Sequence, residues 1–374
     1  MHDHLIIEGW AGRLCNNMTQ LCHAIYLAEQ TCSLLEIPPH DGLLETKNFD
    51  FTQGEKPRKG GYEQYRKVIC SYFFWFSSGV MGIKDPDWNA RRHILKTYVR
   101  PMLPKRLFPN AGKDELVIYI RSGDIFNPAA KKARLKPGQA AALSTTDGPL
   151  HRWWLRLKTG KLGGAATSMG ISPLRRWWRL MQRLVRQQPK KKPRNRVNPN
   201  FVQPPLSFYK QIIESRRWSR IRIVAQDLEN PVIPELLSTY SHIKFEQRDL
   251  EIDIATLLAA QHLVIGYGTF GITWALLSDH LKSLYCPSMP EQAFGELQPG
   301  EIEGVEIYAF KFKNYIPLGQ WKATDNQKHL MLTHQVEDVI AVGRSEFFFK
   351  DFILSMQKRL RNFFRNVYFK GLTE

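Results

Sequence analysis

The chain has no uninterrupted apolar run approaching the roughly 18 residues a spanning helix needs, so no transmembrane segment is expected. Its first residues, Met1-His2-Asp3-His4, pass directly into Leu5-Ile6-Ile7 without a basic stretch or a hydrophobic leader, so no signal peptide is expected. Cysteine is scarce and odd in number. Cys15, Cys22, Cys32, Cys70 and Cys286 are dispersed and form no C-x-x-C pair, which argues against a disulfide framework or a zinc site. They read as free thiols in a reducing compartment, with Cys22 and Cys32 as core residues in or near a helix. The histidines offer no convincing ligand pair, because His329 and His334 are spaced wrongly for one helix face. The expected location is cytoplasmic.

One stretch almost lacks acid. Between Lys131 and Arg196 there are 18 Lys/Arg against the single Asp147, which leaves 35 basic and 34 acidic residues elsewhere. The net charge of +18 therefore belongs to a segment and not to the fold. The segment carries the near-repeats His151-Arg152-Trp153-Trp154-Leu155-Arg156-Leu157 and Arg176-Trp177-Trp178-Arg179-Leu180, and it ends in a Lys/Arg/Pro run from Pro189 to Arg194. Trp favours the membrane–water boundary and Lys/Arg attract anionic lipid, so one expectation is docking on an anionic membrane surface. An insertion with no partner is the other. Lys/Arg with Trp can also hold single-stranded nucleic acid. The near-neutral remainder argues against nucleic acid as the main partner.

What the chain does hold is enough apolar residue, 43% of 374, to bury a large core over about two domains. Leu5 to Glu8 reads as a strand, Gly9 to Asn17 as a small-residue loop, and Met18, Leu21, Cys22, Ile25 and Ala28 recur at helical spacing. A second α/β series starts at the buried-type strand Leu116 to Ile120. It continues through a helix capped by Ser207, strands at 221–225, 243–245, 262–265 and 283–286, and helices near 234–240, 252–261 and 270–280. Strand–helix alternation predicts parallel sheets with helices on both faces. The expected fold is α/β, with two facing Rossmann-like domains at 1–112 and 113–345. A basic insert, partly disordered or helical, interrupts the second domain at 129–200, and an amphipathic tail covers 346–374.

Several motifs carry chemistry. Arg121 follows a strand end, where ligands bind parallel sheets, and its guanidinium fork suits a diphosphate. Gly123 lets the backbone approach closely, and Asp124 can orient the arginine or take a proton. Gly266-Tyr267-Gly268-Thr269-Phe270-Gly271 fits G-x-G-x-x-G between a strand and a helix. The next strand runs into Pro287 without the acid a nicotinamide site needs, but small residues at a helix N-terminus still make an anion cradle. Asp227 and Asp253 flank strands and can bond a base or ribose, with a solvated loop acid or helix cap as the alternative for each. Gly12-Arg13-Leu14-Cys15-Asn16 is another anion-capable loop. Asp85-Pro86-Asp87 spells D-x-D in a polar turn with no apolar strand before it, so no metal site is inferred.

Taken in order, these motifs resemble the fucosyltransferase superfamily that includes α-1,2-, α-1,6- and protein O-fucosyltransferases. Gly12-x-Leu14-x-Asn16-Asn17-Met18-x-Gln20 is similar to its N-terminal G-x-L/F-G-N-Q loop. Tyr119-Ile120-Arg121-Ser122-Gly123-Asp124 resembles H-x-R-x-G-D, Pro204 to Tyr209 the stretch into the next helix, and Gln226-Asp227 the S-D-D strand end. Asp253 through Trp274 resembles the block ending S-T-F-S-W-W. The chain departs from the pattern at Tyr119, Ser122 and Gly268, where the family has histidine, a frequent second arginine and serine. The resemblance implies a GT-B-like fold and inverting, metal-independent transfer with no cofactor. It implies a GDP-sugar donor, usually GDP-fucose, and a glycan or lipid-linked glycan acceptor. It places Arg121 on the β-phosphate, with Asp124 as the candidate base. It places Asn16 on the phosphate or sugar from the other domain, Asp253 on the guanine or ribose, and Thr269 and Phe270 around the phosphate; Gly12, Asp227 and Gly268 join the expected donor-binding set from the reading of their own loops and strand ends. A non-catalytic sugar-nucleotide binder and a polyanion binder acting through the insert are the alternatives.

Overall fold

The computed structural model describes residues 3–10, 12–47, 49, 51–52, 66–69, 83, 85–112, 114–126, 197–288, 300–336 and 338–342. The chain divides into two compact units, 1–126 with 198–374, and 127–197. The second unit apart from Val197, the tail 346–374 and Cys70 lie outside the described residues, so the readings of the basic segment and tail fall there. No described helix is long and apolar enough to cross a membrane.

The first unit is α/β and carries two sheets. Asp3–Ile6 forms β1, Leu34–Glu36 β2, Phe51–Thr52 β3 and Arg66–Ile69 β4, ordered β3-β2-β1-β4. β1 pairs parallel with β2 and β4, and the short β3 closes one edge antiparallel. The larger sheet contains β5 (Leu116–Tyr119), β6 (Ile221–Val224), β7 (Ile243–Phe245), β8 (His262–Val264), β9 (Ser283–Pro287), β10 (Glu306–Lys311) and β11 (Asp338–Val342). Its order is β11-β10-β9-β8-β5-β6-β7, parallel throughout except for β11. Counted from β5, the first six strands run 3-2-1-4-5-6, the Rossmann order, and the direction of winding reverses between β5 and β8.

Helix α1 (Leu14–Thr31) links β1 to β2, α2 (Trp88–Ile94) precedes the larger sheet, and α3 (Leu206–Ser215) leads into β6. α4 (Val232–Thr239), α5 (Leu250–Ala259) and α6 (Thr269–Leu277) follow β6, β7 and β8, and α7 (Asp325–Thr333) lies between β10 and β11. The apolar positions Met18, Leu21, Ile25 and Ala28 of α1 are fully buried. They join one core with Ile254 and Leu257 of α5, Trp274, Ala275 and Leu277 of α6, and Val99. Lys96 and Arg100 add ion pairs to Asp279 just past α6. The helical stretch that continues α2 departs from α geometry. It loosens into a π-turn over Leu95–Val99 and tightens to a 3-10 turn at Arg100–Met102, where Pro101 supplies no N–H to continue the ladder.

Two local expectations fail. Ser207 does not cap α3, because Pro205 holds the N-cap position and Ser207 lies inside the first turn. Cys32 is not a core residue. It ends α1 in the left-handed conformation at φ 50° and is exposed, while Cys22 is buried.

At the amino edge of the large sheet, His262 bridges Ser283 Oγ (2.6 Å) and Asp114 Oδ1 (2.8 Å), with the Trp218 ring tilted against it at 5.3 Å. Burial, then the Arg216 charge, holds its pKa below the usual value despite Asp114. The contact is therefore a hydrogen bond from a neutral ring, not an ion pair. Because folding lowers this pKa, the stabilisation is complete above the ordinary value near 6.5 and is lost as pH falls through the lower, folded value. Melting temperature is expected to drop as the buffer is taken from pH 7.5 to pH 5, and a scanning-fluorimetry pH series should show a shallower drop in His262→Gln. Parallel curves for the two proteins would show that this histidine does not set the acid limb.

Candidate active site

The winding reverses between β5 and β8, the point at which an open α/β sheet forms its ligand crevice, and the residues at the carboxyl ends there are Arg121 and Gly266 to Thr269. Gly268 occupies the N-cap of α6 at φ 116°, a conformation that a side chain would strain, and no side chain caps the helix. A Cβ on Gly268 would stand 3.5 Å from Arg121 Nη1, so the guanidinium edge faces the N-terminus of α6 across the crevice. Gly271 meets the third demand of the G-x-G-x-x-G pattern. A Cβ there would lie 2.8 Å from the Ile265 side chain and 3.2 Å from the Tyr119 ring, so only glycine lets α6 pack this closely on β8 and β5.

The turn carrying Arg121 is braced by a network that the sequence does not announce. Ser122 Oγ donates to Asp227 Oδ1 (2.5 Å), and the Gly123 and Glu229 N–H groups donate to the same oxygen (3.0 and 3.1 Å). Asn230 donates its N–H to Ser122 Oγ (2.9 Å) and its Nδ2 to the Arg121 carbonyl (3.0 Å), while its Oδ1 accepts from the Val232 N–H at the start of α4. Gly123, at φ 71°, allows the close turn, since a Cβ would meet Gln226 Oε1 at 2.9 Å. Asp227 is thus placed as a brace of the Arg121 turn. Ser122, where the resembled family often has a second arginine, is a link in that brace. The backbone of Asp124 lies in the 3-10 turn Gly123–Ile125, and its side chain is outside the described residues.

The opposite wall comes from α1. Thr269 Oγ1 donates to Asn16 Oδ1 at 2.6 Å, tying the first turn of α6 to that of α1. Gly12, at φ 80°, makes room for Asn16, because a Cβ would overlap its amide nitrogen at 2.3 Å. Arg13 holds the N-cap of α1 without a side-chain capping bond, and neither α1 nor α6 has an acid in its first turn. Two helix N-termini, each with unsatisfied N–H groups and a partial positive charge, therefore meet beside Arg121. The other polar residues of this loop–helix motif are buried braces. Gln20 Nε2 donates to the Gly9 carbonyl (3.1 Å), and Asn17 Oδ1 bonds the His40 ring (3.2 Å).

The remaining candidates are placed less centrally. Phe270 packs its ring on Tyr119 (centroids 5.0 Å) and edgewise on Trp274, so it spaces α6 from β5 with its side chain. Asp253 sits in the first turn of α5, half-buried, at the same carboxyl edge of the sheet as Arg121, and no hydrogen bond described joins it to the Arg121 network. Asp87 of the D-x-D turn accepts from the Ala90 N–H and caps α2. Sequence reasoning missed Asn230 and Phe201. The guanidinium of Arg121 lies over the Phe201 ring at 3.8 Å.

Burial pushes the Asp253 carboxyl up to about 6, with Asp249 adding to the rise and Arg248 opposing it. Folding thus favours the protonated acid, and that advantage, complete below about 4, disappears as pH rises through about 6. Asp253→Asn removes the ionisation. It is expected to melt higher than the native chain at pH 7.5 and to match it at pH 4. A thermal-shift series that finds no gain at pH 7.5 would refute the burial argument.

No protein-family model matches the chain, and no curated protein matches it. Among solved structures it aligns with E. coli heptosyltransferase WaaC with ADP-2-deoxy-2-fluoro heptose, at 12% identity over 88% of this chain and 99% of that one, with a TM-score of 0.28. A superposition this loose decides nothing about the crevice, whose chemistry rests on its own residues.

Proposed function

We propose that this chain is an inverting, metal-independent glycosyltransferase of the GT-B type that uses a GDP-sugar, GDP-fucose first among the candidates. The observation that carries the reading is the meeting of Arg121 with the N-termini of α6 and α1 at the strand-order reversal. Each helix end supplies roughly half a positive charge, so with Arg121 the crevice offers on the order of two units against a departing diphosphate. In the step proposed, an acceptor hydroxyl attacks the anomeric carbon as the carbon–oxygen bond to the β-phosphate breaks. The hydroxyl proton passes to Asp124, and the electron pair leaves with the diphosphate held by Arg121. The five motifs in family order support a guanine nucleotide. Asp253 is assigned to the base or ribose, and a glycan or lipid-linked glycan is assigned as acceptor.

Arg121→Ala is expected to lower turnover by at least about 100-fold, the usual cost of removing one preorganised donor to the departing charge, with the circular dichroism spectrum unchanged. Near-normal transfer or donor hydrolysis in that variant would sink the assignment. A thermal-shift panel of GDP-, UDP- and CMP-sugars identifies the donor nucleotide. A second reading, a non-catalytic sugar-nucleotide binder, draws on Tyr119 packing against Phe270 and Ser122 being consumed in the brace. Detectable GDP-sugar hydrolysis would exclude it.

The basic segment leaves the fold after Phe126 and rejoins it at Val197, next to the Arg121 turn in sequence at one end and to Phe201 at the other. Docking of that segment on an anionic membrane would tether the donor site where a lipid-linked acceptor resides. Liposomes containing phosphatidylserine are expected to float the full chain but not a variant lacking 131–196. Equal flotation of both would end the membrane reading, and retention on single-stranded RNA in its place would favour the polyanion reading.

A further inference from the structure

The stack of Arg121 on Phe201 has no counterpart in the motif set. Phe201 lies in the strap Val197–Pro205 that leads into α3. The strap is pinned on both sides of the ring. The Pro199 carbonyl accepts from the Gly319 and Trp321 N–H groups (3.1 and 3.0 Å), and the Gln203 carbonyl accepts from Tyr315 Oη (2.8 Å). The Phe201 N–H donates to the Asn198 carbonyl (3.0 Å), and Gln203 Nε2 donates to the Phe201 carbonyl (3.3 Å). The Trp321 indole donates to the Ile125 carbonyl (3.1 Å), tying the same 315–321 segment to the far end of the Arg121 turn. One element therefore fixes both the ring and the turn whose arginine rests on it.

We propose that Phe201 is a positioning residue for the diphosphate site: its ring occupies one face of the Arg121 guanidinium and leaves the N–H edges directed at the N-terminus of α6. Arginine binds phosphate through its in-plane N–H groups, so a stacked face removes none of its donors. A long cationic side chain otherwise samples many rotamers, and ordering them at the moment of binding weakens affinity. The ring does this ordering in advance and adds a cation–π attraction in a partly desolvated place. The position of Gly268 completes the orientation. The nearest guanidinium nitrogen stands 3.5 Å from where its Cβ would be, so the edge faces the helix end while the face rests on Phe201.

This inference rests on the proposed diphosphate role of Arg121, and the experiment separates the two. Affinities of GDP, pyrophosphate and GMP are measured by calorimetry for the native chain, Phe201→Leu, Phe201→Tyr, Arg121→Ala and the Phe201→Leu/Arg121→Ala pair. Phe201→Leu keeps apolar bulk and removes the π face, and it is expected to weaken GDP and pyrophosphate by about 5- to 30-fold. GMP, which lacks the β-phosphate, should bind it as it binds the native chain. Phe201→Tyr should restore GDP affinity, and Phe201→Leu should add no further loss once Arg121 is alanine. Equal weakening of GMP would mean that the ring merely supports the fold and would overturn the proposal. So would native GDP affinity in Phe201→Leu alongside a loss in Arg121→Ala, an outcome that leaves the diphosphate site standing. Native GDP affinity in Arg121→Ala would instead overturn the site reading beneath it.

Discussion

The reversal of winding between β5 and β8 is the constraint on which the rest of the crevice depends. Elsewhere in the six-stranded parallel array successive crossovers step outward in one direction, from β5 to β7 on one side and from β8 to β10 on the other. Between β5 and β8 they diverge to opposite faces, so two carboxyl ends stay open at one point. An open point is useful only if something holds it open. Asp227 collects three donors on one oxygen, and Asn230 ties the Arg121 carbonyl to the start of α4, so the β5 turn cannot fold across the gap. On the other side, Gly271 lets α6 close on β8, which brings its N-terminus to the edge of the gap and not some ångströms behind it. The brace, the glycines and the arginine are separate in sequence and answer to the same geometric fact.

Much of this was legible before any coordinates. The apolar-rich runs at 116–120, 221–225, 243–245, 262–265 and 283–286 sit within a residue or so of the observed strands, because strands of a sheet covered on both faces are mostly apolar, with Arg222 and Lys244 as the interruptions. Arg121, Gly268, Thr269 and Asn16 were nameable because strand ends and helix starts are where anions bind. β10 and β11 escaped notice since neither adjoins a motif. Helix capping at Ser207 was misplaced because the preceding prolines already set the extended entrance to α3.

What the sequence could not tell was direction. An acid after a strand, such as Asp227, reads equally as a base or ribose contact or as a solvated loop acid or helix cap, and the bracing of the Arg121 turn by its Oδ1 is visible only in the structure. The same holds for the loop–helix motif of α1. Asn16 faces α6, while Asn17 and Gln20 face inward to His40 and Gly9, although all three belong to one short pattern. Phe201 was invisible for another reason. It is an aromatic residue at the rim of a basic segment, 80 residues from Arg121 in the chain, and cation–π pairs leave no local signature.

The polar atoms left without a protein partner are informative about where stability has been relinquished. Gln203 and Tyr209 are fully buried, yet Oε1 of the first and Oη of the second have no hydrogen-bond partner among the described residues, and neither has Ser207 Oγ between them. Each such group costs about 1–3 kcal/mol relative to a satisfied one. They fall on the strap and first turns of α3, with Gln203 Oε1 3.3 Å from where a Gly266 Cβ would be, directly behind the β8 end of the crevice. Asp253, whose carboxyl folding holds in the disfavoured charge state at neutral pH, adds a further conflict at the same edge of the sheet. At the opposite edge His262, Ser283 and Asp114 bond one another, while the buried Nε of Arg222 beside Glu115 has no hydrogen-bond partner among the described residues. Unmet polar groups thus stand at both edges, and what distinguishes the carboxyl edge as the one able to bind is its arginine and the close approach of α6 that Gly268 and Gly271 allow.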